Sequence, residues 1–205
     1  MKQKLIHIII LFNCFLILGC NISNSKKEVD KESDSLRKNL LKEINRDLSQ
    51  TDILNNSREI WKTLNINDIS ELSSNKEFFR FTLCRSFKNN FCIEINKDNH
   101  DYKIFWREWS FCPENGKLEQ IKQKSKKIKT FEWLEINKYI DNSCFWSLKP
   151  GNRIICFDCS TWIIEGKDSS RYHIINRAYI NPEDSLYKFC DKLIKMTDIK
   201  NDIKE

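Results

Sequence analysis

Glycine and proline are nearly missing from this chain: four glycines and three prolines among 205 residues. That scarcity excludes collagen-like, loop-repeat and low-complexity architectures, which depend on one or both residues. Histidine is scarce too, with three in all. The one long apolar run, Leu5 to Leu18, spans 14 residues, and a helix that crosses a bilayer needs about 20. Strong charge of one sign is also absent. The 35 basic and 29 acidic side chains leave +6 at pH 7, which falls to +4 if Lys2 and Lys4 are removed with the N-terminus. Such a balance gives no reason to expect a nucleic-acid partner. Aromatic residues, in contrast, make up 12% of the chain and include six tryptophans, enough to build a real core.

The apolar run follows a short positive stretch and ends in Ile17-Leu18-Gly19-Cys20. This arrangement resembles the lipobox of bacterial lipoprotein signal peptides, with a small residue before the cysteine. Leu18 is bulkier than most lipoboxes carry there. The resemblance implies cleavage after Gly19, palmitate-type acylation of Cys20, and a mature chain anchored to a bacterial membrane with its domain outside the cytoplasm, periplasmic or surface-exposed. Two or more acyl chains anchor stably where one binds only marginally. Residues 1–19 are then signal peptide and 20–35 a polar tether. Residues 36–198 form one α+β domain and 199–205 a polar tail. The plain alternatives are an uncleaved anchor or a secretory signal without lipid.

Alternation of apolar and polar residues predicts strands near Phe79–Cys84 and Phe91–Ile95, and further segments read as strands near Tyr102–Phe111, Leu118–Ile128, Trp162–Glu165 and Tyr172–Ala178. Leu36, Leu40, Leu41, Ile44 and Leu48 recur at helical spacing and predict a helix over Ser35–Leu48, with a further helical turn at Ile60–Leu64. Thr130 reads as the cap of a mid-chain helix. Asn181, with Pro182 behind it, reads as the cap of a C-terminal helix carrying Leu186, Phe189, Cys190, Leu193 and Ile194 on one stripe. Strands grouped together with helices at their ends give an α+β fold: an antiparallel sheet of about six strands with an N-terminal, a mid-chain and a C-terminal helix. A three-residue loop, Lys88-Asn89-Asn90, places the first two apolar strand sets on one face and leaves Cys84 and Cys92 as diagonal neighbours. Lys122, Lys124 and Lys126 share one face of the fourth strand, as lysines protecting an edge do. The sharper reading of these lysines is a surface for an anionic ligand or a membrane.

Seven cysteines remain once Cys14 is cleaved and Cys20 acylated, so at least one has no intramolecular partner. Cys156-Phe-Asp-Cys159 is a CxxC, but strand-forming residues follow it where a redox enzyme needs a helix N-terminus. No second such pair completes a zinc site, and no metal or other cofactor is expected. A five-residue loop, Gly166–Ser170, places Glu165, Arg171, His173 and Arg177 on one sheet face. Such a carboxylate–imidazole–guanidinium cluster could bind an anion or orient a proton donor, or could simply be a hydrogen-bonded structural group. No serine or cysteine nucleophile is spaced to work with His173, so no catalytic residue is assigned.

Arg80-Phe81, Arg85-Ser86-Phe87, Phe145-Trp146, Asp158-x-Ser160-x-Trp162-x-x-Glu165-Gly166, Tyr172-His173, Arg177 and Pro182 form a pattern over about Phe78 to Met196. It resembles a family of uncharacterised bacterial proteins whose signature runs D-G-x-x-W-x-L-E-G, then Y-H-x-V-x-R-W-x-P. The chain departs from it at Cys159 and Tyr179. The resemblance implies domain limits and carries no activity. The expectation is therefore a binding or accessory protein of the cell envelope, with membrane lipid as one partner and a protein as another. The alternatives are a toxin-neutralising immunity lipoprotein and an enzyme using Glu165, His173 and Arg177.

Overall fold

The computed structural model describes residues 35, 36, 38, 47–71, 76–86, 88–113, 116–152 and 160–200. The chain divides into Met1–Glu43 and Ile44–Glu205, and the architecture that follows belongs to the second unit. Cys20, the tether and the Cys156–Cys159 motif lie outside the described residues.

Six strands form one antiparallel sheet: β2 (Glu77–Cys84), β3 (Asn90–Asp98), β4 (Asp101–Cys112), β5 (Lys117–Lys127), β7 (Thr161–Lys167) and β8 (Tyr172–Arg177). Their order is β5-β4-β3-β2-β7-β8, so β2 sits between β3 and the late strand β7. A separate two-stranded ribbon joins β1 (Asp47–Leu48) to β6 (Gly151–Asn152). Among the described residues the long helices are α1 (Gln50–Thr63), α2 (Thr130–Asn142) and α3 (Ser185–Lys195). The fold is α+β, as the strand and helix pattern predicts.

Period-two alternation divides the sheet into two buried faces. On one, Phe79, Phe81, Leu83, Phe91, Ile93, Ile95, Ile164 and Ile175 pack against Trp133, Ile136 and Ile140 of α2 and the Leu186-to-Ile194 stripe of α3. Phe81, fully buried, stacks on Trp162 at 5.2 Å and meets Phe91 edge-on at 5.6 Å. Cys190 is a small apolar core residue here, and burial pushes its thiol well above the ordinary range. On the other face, Cys92, Ile163 and Ile174 pack under Ile53, Trp61 and Leu64 of α1 and its C-terminal end.

The helix α1 corrects two expectations. Asp47 and Leu48 are strand, paired with Asn152 and Gly151, so no helix runs through Leu48. Residues 35, 36 and 38 are helical, and 37 and 39–46 lie outside the described residues. A separate helix, α1, starts at Gln50, because Ser49 and Asp52 form a reciprocal capping box: the Asp52 amide donates to Ser49 Oγ at 3.1 Å, and the Ser49 amide to Asp52 Oδ2 at 3.1 Å. The turn expected at Ile60–Leu64 is the last part of this 14-residue helix. Two caps also shift. Lys129, not Thr130, caps α2, with Glu132 accepting its amide at 2.8 Å. Asn181 closes a turn, taking the Glu183 amide on its side chain at 3.0 Å, and α3 begins later behind Asp184.

The β2–β3 connection is longer than three residues, since the pair nearest the turn is Leu83 with Phe91. The shift is even, so both apolar sets keep one face. Asn90 Oδ1 takes the Arg85 amide at 2.6 Å and the Arg85 Nε donates to the Asn89 carbonyl at 2.9 Å, which orders the wider loop. Cys92 now faces Thr82, Cys84 stays its diagonal neighbour, and both thiols are free. At the sheet's outer edge, β5 carries its lysines in the open. Lys124 pairs with Asp198 at 2.5 Å, and Lys122 with Glu108 at 3.3 Å. A lysine-rich edge resists pairing with another chain.

Gly166 is required by packing. A β-carbon there would lie 2.6 Å from a Phe145 ring carbon and 3.0 Å from Phe79 and Trp146. Gly166→Ala is expected to cost about 1–3 kcal/mol through overpacking of this aromatic group, checked by denaturant titration. A melt unchanged from the parent would show that the rings can retreat.

Candidate functional site

The hairpin that decides the expected cluster has a loop of four residues in place of five, and β7 runs on to Lys167. Asp168 accepts the Ser170 amide at 2.8 Å, the Ser170 hydroxyl at 2.8 Å and the Arg171 amide at 3.0 Å, and its own amide donates to the Arg171 carbonyl at 3.0 Å. This side-chain turn confines the loop to Asp168–Arg171 and sets Lys167 against Tyr172. Glu165 therefore faces Ile174, and Gly166 faces His173. The change in register is odd, so it sends Glu165 to the α1 face and His173 and Arg177 to the α2/α3 face. The four-residue cluster read from the sequence is not assembled.

Each member has its own role. Arg171 is exposed, pairs with Asp168 at 2.8 Å and lies 4.0 Å over the Trp146 ring. His173 donates from Nδ1 to Gln50 Oε1 at 3.1 Å while that amide's nitrogen donates to the Tyr172 carbonyl at 3.0 Å. Its ring meets Phe145 edge-on at 5.1 Å. Burial lowers its pKa, the Leu148 backbone works against that shift, and the charge of Arg177 adds to it. Arg177 donates to the carbonyls of Pro150 at 2.9 Å, Asn176 at 2.8 Å and Lys149 at 2.6 Å, so it pins the segment before β6 to the sheet edge.

A different cluster forms around Arg80, which is 1% exposed at the centre of the sheet. Its cross-strand neighbours are Glu94 on β3 and Glu165 on β7. The guanidinium donates to Glu94 Oε1 at 2.9 Å, to Glu165 Oε2 at 3.2 Å and to the Asn67 carbonyl at 2.7 Å. Its flat faces lie 5.3 Å from the Trp61 ring and 5.6 Å from Phe78. The second oxygen of Glu165 accepts the Tyr172 hydroxyl at 3.0 Å. Arg107 approaches Glu94 at 3.9 Å.

Burial is the largest influence on these groups. It works against the charge on Arg80, but Glu165 and Glu94 outweigh it and hold the guanidinium protonated. It pushes Glu165 up to about 7, opposed by Arg80 and the Tyr172 hydrogen bond. Tyr172 rises as well, through burial and the neighbouring Glu165. On the same face burial pushes Cys84 up to about 12, which makes its thiol a poor nucleophile. Among the described residues no group of three or more His, Cys, Asp or Glu side chains is placed to hold a metal ion.

The chain matches no family model, no curated protein and no solved structure. Its chemistry is therefore read from its own geometry. Surface clefts of about 440 Å³ and 470 Å³ are lined in part by Arg171 and by Arg177 respectively, and Glu165 and His173 line neither. The Arg80 cluster is a clamp. It ties β3, β2 and β7 together and reaches the segment after α1, where Lys167 also donates to the Ser70 carbonyl at 2.7 Å and Arg58 pairs with Asp68 at 2.7 Å. No helix among the described residues is long and apolar enough to cross a membrane.

Because Glu165 and His173 share no partner, Glu165→Ala and His173→Ala should each destabilise, by about 1–3 kcal/mol. The double variant should equal the sum within about 0.5 kcal/mol. Thermal melts of the three variants check this, and a strongly sub-additive double would restore a single coupled cluster.

Proposed function

We propose that this chain is a binding or accessory protein of the bacterial cell envelope, held outside the cytoplasm by an acylated Cys20. The observation that carries the reading is Ile17-Leu18-Gly19-Cys20 at the end of a 14-residue apolar run. Geometry supports binding over catalysis. The raised carboxylate, Glu165, is 0% exposed with both oxygens engaged, and His173 and Arg177 lie across the sheet from it. A reacting group must reach its substrate, and this one is closed off. Immunity towards a toxin is one form such binding takes, and a pull-down from native membranes would identify the partner.

Cys20→Ser is expected to abolish incorporation of labelled palmitate and to leave the protein soluble or as uncleaved precursor. Metabolic labelling followed by membrane fractionation tests it. Equal label in parent and variant would overturn the anchor.

A further inference from the structure

The outward side of α2 exposes two large apolar residues, Phe131 at 62% and Leu134 at 61%. At i and i+3 they lie side by side on the helix, opposite the Trp133–Ile136–Ile140 stripe that enters the core. Single exposed apolar residues are ordinary, but this pair has lysines close by in the chain on either side. Lys126, Lys127 and Lys129 lead straight from the edge strand into the helix, and Lys138 follows Leu134 by one turn. The Lys129 ammonium lies 5.8 Å over the Phe131 ring. Lys127 pairs with Asp101 at 3.1 Å. Lys126, Lys129 and Lys138 have no acidic partner among the described residues. From Lys117 to Lys138 the sequence carries seven lysines against three glutamates.

We propose that this corner, where β5 enters α2, is the face on which the domain rests against an anionic lipid surface. The proposal builds on the reading that Cys20 tethers the chain to a membrane. Charge complementarity selects the occupant. Lysine ammoniums pair with lipid phosphates, and their long stems let Phe131 and Leu134 enter the headgroup layer between them. Shape agrees, because Phe131 and Leu134 project from a helix surface and line none of the clefts described for this domain. A projecting apolar pair with lysines beside it suits a flat, deformable, negative layer. Such a patch binds weakly by itself. Held near the surface by a tether, it meets lipid at high effective concentration, and its strength falls as salt rises.

The test uses the full-length acylated protein in vesicles of phosphatidylcholine, with or without phosphatidylglycerol. A photoreactive phenylalanine analogue replaces Phe131, or, as a control, Tyr179, which is 68% exposed elsewhere. Lipid adducts at position 131 should exceed those at 179 several-fold in the anionic vesicles. They should drop to the control level in neutral vesicles, at high salt, and in Lys126→Glu/Lys129→Glu. Equal adducts at both positions, indifference to lipid charge, or adducts to protein in place of lipid would overturn the surface. Mass analysis of Cys20 in the same sample separates the two ideas. An acylated, vesicle-bound chain without adducts at 131 defeats the surface alone. A chain without acyl groups removes the tether, and the surface with it.

Discussion

Arg80→Met should cost about 3–5 kcal/mol of folding stability, because it removes the buried cation that pairs with both Glu94 and Glu165 and leaves Glu165 uncompensated. Glu165 suffers most, being 0% exposed, while Glu94 keeps 13% of its side chain in solvent and the more distant Arg107. Methionine fills similar length and keeps contact with Trp61 and Phe78, so packing loss is small beside the charge effect. A buried ion pair is often matched by apolar residues of similar volume once both members are replaced. Arg80→Met/Glu165→Met should therefore recover most of what the single substitution loses. Urea titrations of the parent and both variants measure the series. A single substitution costing under about 1 kcal/mol would mean that the clamp contributes little, and no recovery in the double would mean that Arg80 acts mainly through the Asn67 carbonyl.

Folding stability should also carry a pH dependence that belongs to Glu165. Its ordinary pKa is 4.5, and burial pushes it up to about 7 in the fold. The charged groups around it are Arg80 on β2, Glu94 on β3 and Asp68 after α1, and the neutral Tyr172 hydroxyl on β8 donates to it. The folded state holds its proton more tightly than the unfolded chain, so this stabilisation is complete below about pH 4.5 and is lost as pH rises through about 7. The steepest loss for one proton is about 1.4 kcal/mol per pH unit. His173 works in the opposite sense, since its lowered pKa removes stability as pH falls below 6.5. Only the difference between the parent and Glu165→Gln isolates the carboxyl. Glutamine can still accept from Arg80 and donate to the Tyr172 oxygen. The parent's advantage over the glutamine variant should shrink from pH 4.5 to 7 and stay flat above. Parallel stability profiles would show that Glu165 is ionised throughout.

Strand existence was legible in six segments, two of them by clear alternation of apolar and polar residues, and the Leu186–Ile194 stripe announced α3 directly. The buried clamp was not. Arg80 sits between Phe79 and Phe81, and in a sheet with one buried face a polar residue at that place belongs in solvent. It is buried because α1 covers the second face, and that helix was visible only in its last part, through Ile60, Trp61 and Leu64. Nor does the chain order reveal that β7 lies beside β2. The neighbours Arg80 and Glu165 are 85 positions apart in sequence.

The sequence alone thus determined the α+β class, the shared apolar face of β2 and β3 and the diagonal relation of Cys84 to Cys92. Tertiary structure decided which polar residues meet. Side chains in a strand alternate with period two, so an even error in loop length leaves every face unchanged, as in the β2–β3 connection. An odd one exchanges the faces, as Asp168 does at the β7–β8 turn, and that exchange parts Glu165 from His173 and delivers it to Arg80.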